Sequence, residues 1–435
     1  MRVDCFEDAP SEWTRKTISD LAVINPRYDL AKGREYPFLE MASVREAFGG
    51  VSEFAPRLLD GSNLARYRKD DILFAKITPC AENGKVALVG ALPDGEEHGL
   101  GSTEFIVLSP KEGKSPEYLF ALASSGAFHH RAISRMEGST GRLRITNDVF
   151  TKWLLVAVPE DDEQAAIIAV LRAADEAIAK TKVELDAARR VKTALMQRVF
   201  REGLEPTERT QLTKYEPAPL HWQPVRVGEV TDVSAGVTLN QDRNPSSNAF
   251  RYLTVVNVQR GYISLDEERY LELRPSEVPG KLLEKDDVVV VEGHANTMEI
   301  GRAAIITEEC AGFTYQNHLF RARLKPDADM EPRFLLLALN EERVRRHWNA
   351  ICNTSSGLNT LNRRQLRRLE IFAPTGEEQR EVVRRVDAAE ATIAAVADKV
   401  TALERLKKSL MQDLLTGKVR VKPKAAHVVD GASHV

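Results

Sequence analysis

Apolar residues recur with four-three spacing over two long stretches of this chain. The first runs Ile167, Leu171, Ala174, Ile178, Thr181, Leu185, Ala188, Lys192, Leu195, Val199. The second runs Val382, Val386, Ala389, Ile393, Val396, Val400, Leu403, Lys407, Leu410, Leu414. A 3.5-residue repeat held this long predicts coiled-coil helices rather than ordinary surface helices. Each would be roughly 50–55 Å long at ~1.5 Å per residue. Each run needs a partner, and the chain supplies two. The economical answer is an antiparallel intramolecular pair, with Ile167, Leu171, Ile178, Leu185 and Leu195 facing Val382, Val386, Ile393, Val400, Leu403 and Leu410. Thr181, Lys192 and Lys407 interrupt this seam, fixing its register or snorkelling to water.

The two runs are copies. Pro159, Glu163, Gln164, Ala173, Ala174, Ile178, Ala179, Ala187, Arg190, Lys192, Leu195, Met196 and Gln197 reappear 215 residues later, from Pro374 to Gln412, with no gap. Upstream, the copies match more loosely. Trp13 opens the first and Trp222 the second. Lys69-Asp70-Asp71 and Lys285-Asp286-Asp287 each precede a β-branched or aromatic run and predict a turn followed by a buried strand. Gly84-Lys85 answers Gly301-Arg302. Pro116 and Pro332 each begin an apolar helical stretch, with Pro near the first helical position. Asn147 and Asn362, after Ser139-Thr140-Gly141 and Ser355-Ser356-Gly357, are placed to cap short helices. The predicted fold class is α+β: two similar mixed modules joined by two long antiparallel coiled-coil helices, a pseudo-two-fold internal repeat. The expected division is module 1–158, helix 159–204, linker 205–219, module 220–373, helix 374–421 and disordered tail 422–435. Such a duplicated plan suits a two-fold target, and duplex DNA is one.

Composition adjusts this picture modestly. With 43% hydrophobic and 29% charged residues the chain reads as soluble and globular. Four scattered cysteines, Cys5, Cys80, Cys310 and Cys352, indicate neither a zinc site nor a disulfide framework. The N-terminal residues lack a leader pattern and nothing approaches a membrane span, which points to a reducing cytoplasm. A net charge of −3 counts mildly against nucleic acid. Arginines nevertheless gather around one element of both copies. Arg343, Arg345, Arg346, Arg363, Arg364, Arg367 and Arg368 flank the second Ser-Ser-Gly loop, and His129, His130, Arg131, Arg135, Arg142 and Arg144 occupy the equivalent stretch of the first.

No phosphate-binding loop, nucleophile elbow, metal-ligand spacing or nuclease constellation is present. Asn25-Pro26-Arg27-Tyr28 is similar to a motif with which amino-methyltransferases grip a base, but lacks its second proline and any Gly-rich cofactor loop; it reads as a turn. No active site, metal or cofactor of the chain's own is expected.

On the duplicated Pro-x-x-x-Glu-Gln helix openings and the ending Leu410-Met411-Gln412-Asp413-Leu414-Leu415-Thr416-Gly417-Lys418-Val419-Arg420-Val421, the chain resembles the specificity subunits of type I restriction–modification systems. The resemblance covers Trp13 to Val421, with one departure, Arg201-Glu202-Gly203-Leu204, where the first copy lacks the Thr-Gly-Lys ending. It implies two target-recognition domains, each reading half of a bipartite DNA site, and helices that act as spacer and dock two methyltransferase subunits. Those subunits would use S-adenosylmethionine to methylate adenine, and a separate restriction subunit would use ATP; this chain would do no chemistry. Base reading needs Arg or Lys for guanine and Asn or Gln for adenine. The candidates are Lys76, Thr78, Asn83, Lys85, Arg142, Arg144 and Asn147 in the first module. In the second they are His294, Asn296, Arg302, Asn359, Asn362, Arg363 and Arg364. The rival expectation is a coiled-coil interaction scaffold with no DNA role.

Overall fold

The computed structural model describes residues 2–139, 141–204, 210–213, 217–246, 248–352 and 360–421. The chain divides into two compact units, Met1–Lys182 with Asp398–Val435, and Val183–Ala397. Both are built on the same antiparallel sheet. In the first unit the strands are β1 (Ala22–Ile24), β2 (Ile72–Ala75), β3 (Val86–Leu88) and β4 (Phe105–Pro110), in the order β1-β4-β2-β3. A 42-residue helix, α1 (Asp161–Glu202), leaves this module. In the second unit β5 (Thr231–Ala235), β6 (Val288–Val291), β7 (Ala303–Ile305) and β8 (Leu319–Leu324) lie in the order β5-β8-β6-β7, followed by α2 (Gly376–Leu415).

The central strands explain why the sequence reads as it does. In β2, Ile72 and Phe74 enter one core and Leu73 and Ala75 another. In β6, Val288 and Val290 likewise part from Val289 and Val291. Period-two alternation with both faces covered requires an unbroken apolar run. The preceding turns need a left-handed residue, and Asp70 (φ 71°) and Asp286 (φ 70°) supply it, an uncommon conformation that Asp tolerates better than most side chains. Pro116 and Pro332 open helices Pro116–Ser124 and Pro332–Asn340, and the Ser115 hydroxyl accepts from Tyr118 N–H at the first.

The heptad pattern is visible as burial. Ile167, Leu171, Ile178 and Leu185 are buried on α1, as are Val382, Val386 and Val400 on α2. Leu195, Ile393, Leu403 and Leu410 are half-buried while their immediate neighbours are mostly exposed. Burying each such side chain contributes about 1.5–3 kcal/mol at most. Pairing is antiparallel within each unit. In the first, Lys407 Nζ lies 2.5 Å from Asp175 and Lys182 Nζ 2.8 Å from Glu404; in the second, Lys192 Nζ lies 2.6 Å from Glu390. The lysines that interrupt the seam are therefore cross-helix fasteners, and a shift of 215 residues carries one pair into the other. Thr181 satisfies its hydroxyl on the Ala177 carbonyl, 2.8 Å away.

Each core also holds both helices. Ile167, Ile168 and Leu171 from the start of α1 join Leu414 and Leu415 from the end of α2 in the first unit. Val382 and Val386 join Val199 and Phe200 in the second. Part of the expected linker is structured: Thr210–Gln211 pairs with Ala218–Pro219, because the Gln211 amide donates to the Pro219 and Trp222 carbonyls and Ala218 is buried. The rest of that stretch, 205–209 and 214–216, and the tail 422–435 lie outside the described residues.

Candidate nucleic-acid interface

The helix openings come first, since they fix the modules to the helices. Gln164 and Gln379 each turn their amide back onto the carbonyl of the preceding proline, at 2.9 and 3.0 Å. Glu163 and Glu378 accept the indole N–H of Trp13 and Trp222, at 3.3 and 3.2 Å. Arg420 forks onto Glu163 at 2.5 and 2.7 Å, and His221 takes that place beside Glu378 at 3.1 Å. Gly203 (φ 84°) and Gly417 (φ 71°) close the two helices in the same left-handed way, so the variant ending of the first copy does the same work.

In the first module, the structure brings four candidates together. A hairpin of Glu137–Ser139 and Arg142–Arg144 docks on the chain leaving β2. Thr78 holds it, accepting from Leu143 N–H at 3.2 Å and donating to the Gly141 carbonyl at 3.3 Å. Lys76 donates to the Thr103 carbonyl at 2.7 Å. Arg144 forks onto Glu104 through Nε and Nη2, at 3.1 and 2.8 Å, and this guanidinium holds the Glu104 carboxyl below its usual range. The Arg142 side chain is exposed and makes no hydrogen bond or ion pair among the described residues. Asn83 is spent on Glu46 at 2.8 Å.

Three expectations need correction. Lys85 and Arg302 are not loop side chains offered to solvent. Lys85 donates to the Met41 carbonyl at 2.9 Å and Arg302, only 7% exposed, to the Val255 carbonyl at 2.7 Å. They are the same clamp in both modules, following Gly84 and Gly301, whose positive φ disfavours any side chain, with Trp348 also filling the space at Gly301 and Phe48 crowding it at Gly84. Asn147 does not cap: it is itself helical, at the start of the segment that runs into Val149–Trp153, and its side-chain oxygen accepts from Asn25 at 3.1 Å. Asn25 in turn receives Val107 N–H, so the Asn-Pro-Arg-Tyr segment is a structural turn. Among the basic residues flanking the loops, Arg343 is buried and donates to the Phe200 and Pro217 carbonyls. Arg131 pairs with Glu7, and Arg345 and Arg346 with Glu342.

In the second module, Asn362 does cap a helix, Arg363–Arg368, by a reciprocal pair with Gln365 at 2.9 and 2.7 Å. The side chains of Arg363, Arg364, Arg367 and Arg368 are exposed and make no hydrogen bond or ion pair among the described residues. Arg364 and Arg368 line a shallow groove with His347, Ile351, Asn362 and Gln365. Asn296 caps a short turn by accepting Met298 N–H at 3.0 Å, and His294 Nδ1 accepts Asn296 N–H at 3.0 Å. Asn359 lies outside the described residues, as does the Ser355-Ser356-Gly357 loop. Among the described residues, no group of His, Cys, Asp and Glu is placed to hold a metal, and no helix is long and apolar enough to cross a membrane.

A duplicated α+β module with basic loop edges, each copy opening a long paired helix, matches one family twice over. The type I restriction modification DNA specificity domain matches residues 10–187 and again 219–405, and the chain belongs to that family. Among relatives, it is similar to the specificity subunit of the type I restriction enzyme EcoAI of Escherichia coli, 30% identical over 37% of this chain and 28% of that one. The chain thus spans about a quarter of the EcoAI and EcoEI relatives. It is 21% identical, over 95% of both chains, to a putative MjaX specificity subunit of Methanocaldococcus jannaschii. A solved chain of a type I R-M system shares the fold over 94% of this chain and 99% of that one, with 18% identity and a TM-score of 0.65. The HsdS subunit from Thermoanaerobacter tengcongensis does so over 94% and 98%, with 19% identity and a TM-score of 0.51.

Proposed function

We propose that this chain is the sequence-specific DNA-recognition subunit of a type I restriction–modification complex. Each module reads one half of a bipartite site, and the paired helices dock two methyltransferase subunits, with a restriction subunit joining through the complex. The observation that carries this reading is the double family match, one per module, on a frame that repeats down to individual hydrogen bonds. The reading surface comprises Lys76, Arg142 and Arg144 in the first module and His294, Asn296, Arg363 and Arg364 in the second. Exposed arginines there supply phosphate and base contacts, while partner subunits supply the remaining positive charge a −3 chain lacks. Helix docking is supported by exposed apolar side chains at matching places, Val191 and Leu406, 63% and 50% exposed and 215 residues apart. The chain carries no chemistry of its own and acts in the cytoplasm, on the cell's DNA.

The test is to sequence methylated DNA from cells expressing the chain with its methyltransferase subunits. Adenine methylation at a two-part motif, lost when this chain is deleted, is the expected result. Methylation unchanged by the deletion refutes the reading. Purified chain incubated with labelled S-adenosylmethionine and DNA should transfer nothing.

A further inference from the structure

Three backbone segments meet in the same way in both modules. In the first, Lys76 N–H donates to the Glu104 carbonyl (2.9 Å), Ile145 N–H donates to the Lys76 carbonyl (2.8 Å), and Ile77 bridges Arg144. In the second, Glu292 N–H donates to the His318 carbonyl (3.0 Å), Leu361 N–H to the Glu292 carbonyl (2.8 Å), and Gly293 bridges Thr360. Positions 76, 104 and 144 therefore correspond to 292, 318 and 360. The backbone frame is one and the same, yet its side chains differ at every position: Lys, Glu and Arg against Glu, His and Thr. None of the six is buried. At several buried or half-buried points of the frame the modules keep their chemistry, in the tryptophan–glutamate bond, the glutamine on its proline carbonyl and the Gly-Lys or Gly-Arg clamp. In a duplicated reader, residues that read must change whenever the half-sites differ, and a matched backbone whose accessible side chains all differ is where that change is expected.

We propose that these two triads are the specificity-determining positions of the two modules, an assignment that rests on the DNA-reading function above. In the first triad, Glu104 is a positioning residue. It takes Nε and Nη2 of Arg144, leaving the Nη1–Nη2 edge to meet guanine O6 and N7, with Lys76 alongside. In the second, the His318 ring nitrogen Nδ1 holds Oε2 of Glu292 at 2.9 Å, leaving Oε1 as an acceptor for the exocyclic amine of cytosine. Thr360, exposed at the position of Arg144, gives up the guanine contact.

The test transplants one triad into the other module of the full-length chain, as Glu292→Lys, His318→Glu and Thr360→Arg, expressed with the methyltransferase subunits. Methylation mapping should show the second half-site losing cytosine and gaining guanine preference at one position, by roughly ten- to a hundredfold. The first half-site should be unchanged. The single variant Arg144→Thr, at an exposed side chain, should relax one guanine position of the first half-site and leave the second intact. If the transplant fails to methylate, Arg144→Thr decides, since an unaltered first half-site in that variant overturns the assignment. Parent specificity in both variants overturns the assignment alone. A parent with no two-part motif overturns the DNA-reading function, and the assignment with it.

Discussion

Both modules bury the second aspartate of their Lys-Asp-Asp turn at the foot of the central strand, but they satisfy it differently. Asp71 accepts the Tyr28 hydroxyl at 2.8 Å and Arg68 N–H at 2.9 Å. Asp287 accepts Glu284 N–H at 2.7 Å and is gripped by Arg323 through Nε and Nη2, both at 2.7 Å. The turn geometry is common; the partner that neutralises the carboxylate is not. One module relies on a neutral hydroxyl and backbone, with the Arg68 guanidinium standing off at 3.9 Å, the other on a guanidinium forked directly onto the carboxylate. A duplicated scaffold therefore holds its backbone solution more tightly than its electrostatic one.

The largest effect should separate these two aspartates. Asp287→Ala leaves Arg323, about a quarter exposed, without its fork, and should cost about 3 kcal/mol or more of the second unit's stability. Asp71→Ala strips the Arg68 N–H of its acceptor and leaves the Tyr28 hydroxyl with Ser109 alone, and should cost about 1–3 kcal/mol. Urea unfolding of both variants checks this, and equal losses would break the contrast. Next come the helices. Ile178→Asp puts a charge where only 8% of the residue is exposed, and should cost about 3 kcal/mol, whereas its half-buried counterpart Ile393→Asp should cost about 1. Thermal melts that rank the two in the opposite order would contradict the burial pattern. Smaller again, Glu163→Ala removes a fork to Arg420, half in solvent, and the Trp13 bond; about 1–2 kcal/mol is expected. Glu378→Ala loses the Trp222 and His221 contacts and should cost about 1. Tryptophan fluorescence during urea unfolding would follow both.

The smallest effect is one of pH. Burial raises the Asp71 carboxyl above its ordinary value, outweighing the hydrogen bonds from Arg68, Ser109 and Tyr28 that lower it. A carboxyl whose folded value is raised binds its proton better folded than unfolded. Its contribution is thus complete below the ordinary value, near pH 4, and is lost as pH rises through the folded value. Asp71→Asn removes this dependence and keeps an acceptor for Tyr28. Relative to the parent, the variant should gain stability on going from about pH 4 to pH 7 in parallel urea melts. A parent–variant difference that stays flat over that range would mean that burial does not govern this carboxyl.

The helices, turns and duplicated plan were legible because each is written in local periodicity or in a residue with a fixed backbone role, such as Asp70 or Pro116. The proposed reading surface is less so, for a physical reason. Recurrence between the copies drew attention to Lys85 and Arg302, yet recurrence marks what the frame needs, and both side chains clamp backbone carbonyls. The proposed triad residues Glu104, Glu292, His318 and Thr360 are not visible in local sequence because their frame joins three segments far apart along the chain. The matched bridges at Ile77 and Gly293, with the backbone hydrogen bonds of Lys76 and Glu292, bring them together. The signal available in the sequence was the opposite of the one followed: aligned positions beside strand ends where the copies disagree in charge.

The two cross-helix pairs made by the seam lysines, Lys192 and Lys407, carry a further consequence. A seam rich in alanine and valine has little shape to tell one heptad from the next, so sliding by seven residues would leave it almost equally apolar. Such a slide would set Lys192 opposite Val383 or Ala397, and Lys407 opposite Ile168 or Lys182, in place of Glu390 and Asp175. Each fastener contributes under about 1 kcal/mol at the surface, too little to glue the helices together. Their worth is as a combination lock, in which two weak matches far apart along the chain hold together at one setting only, and a slip of one heptad either way loses both.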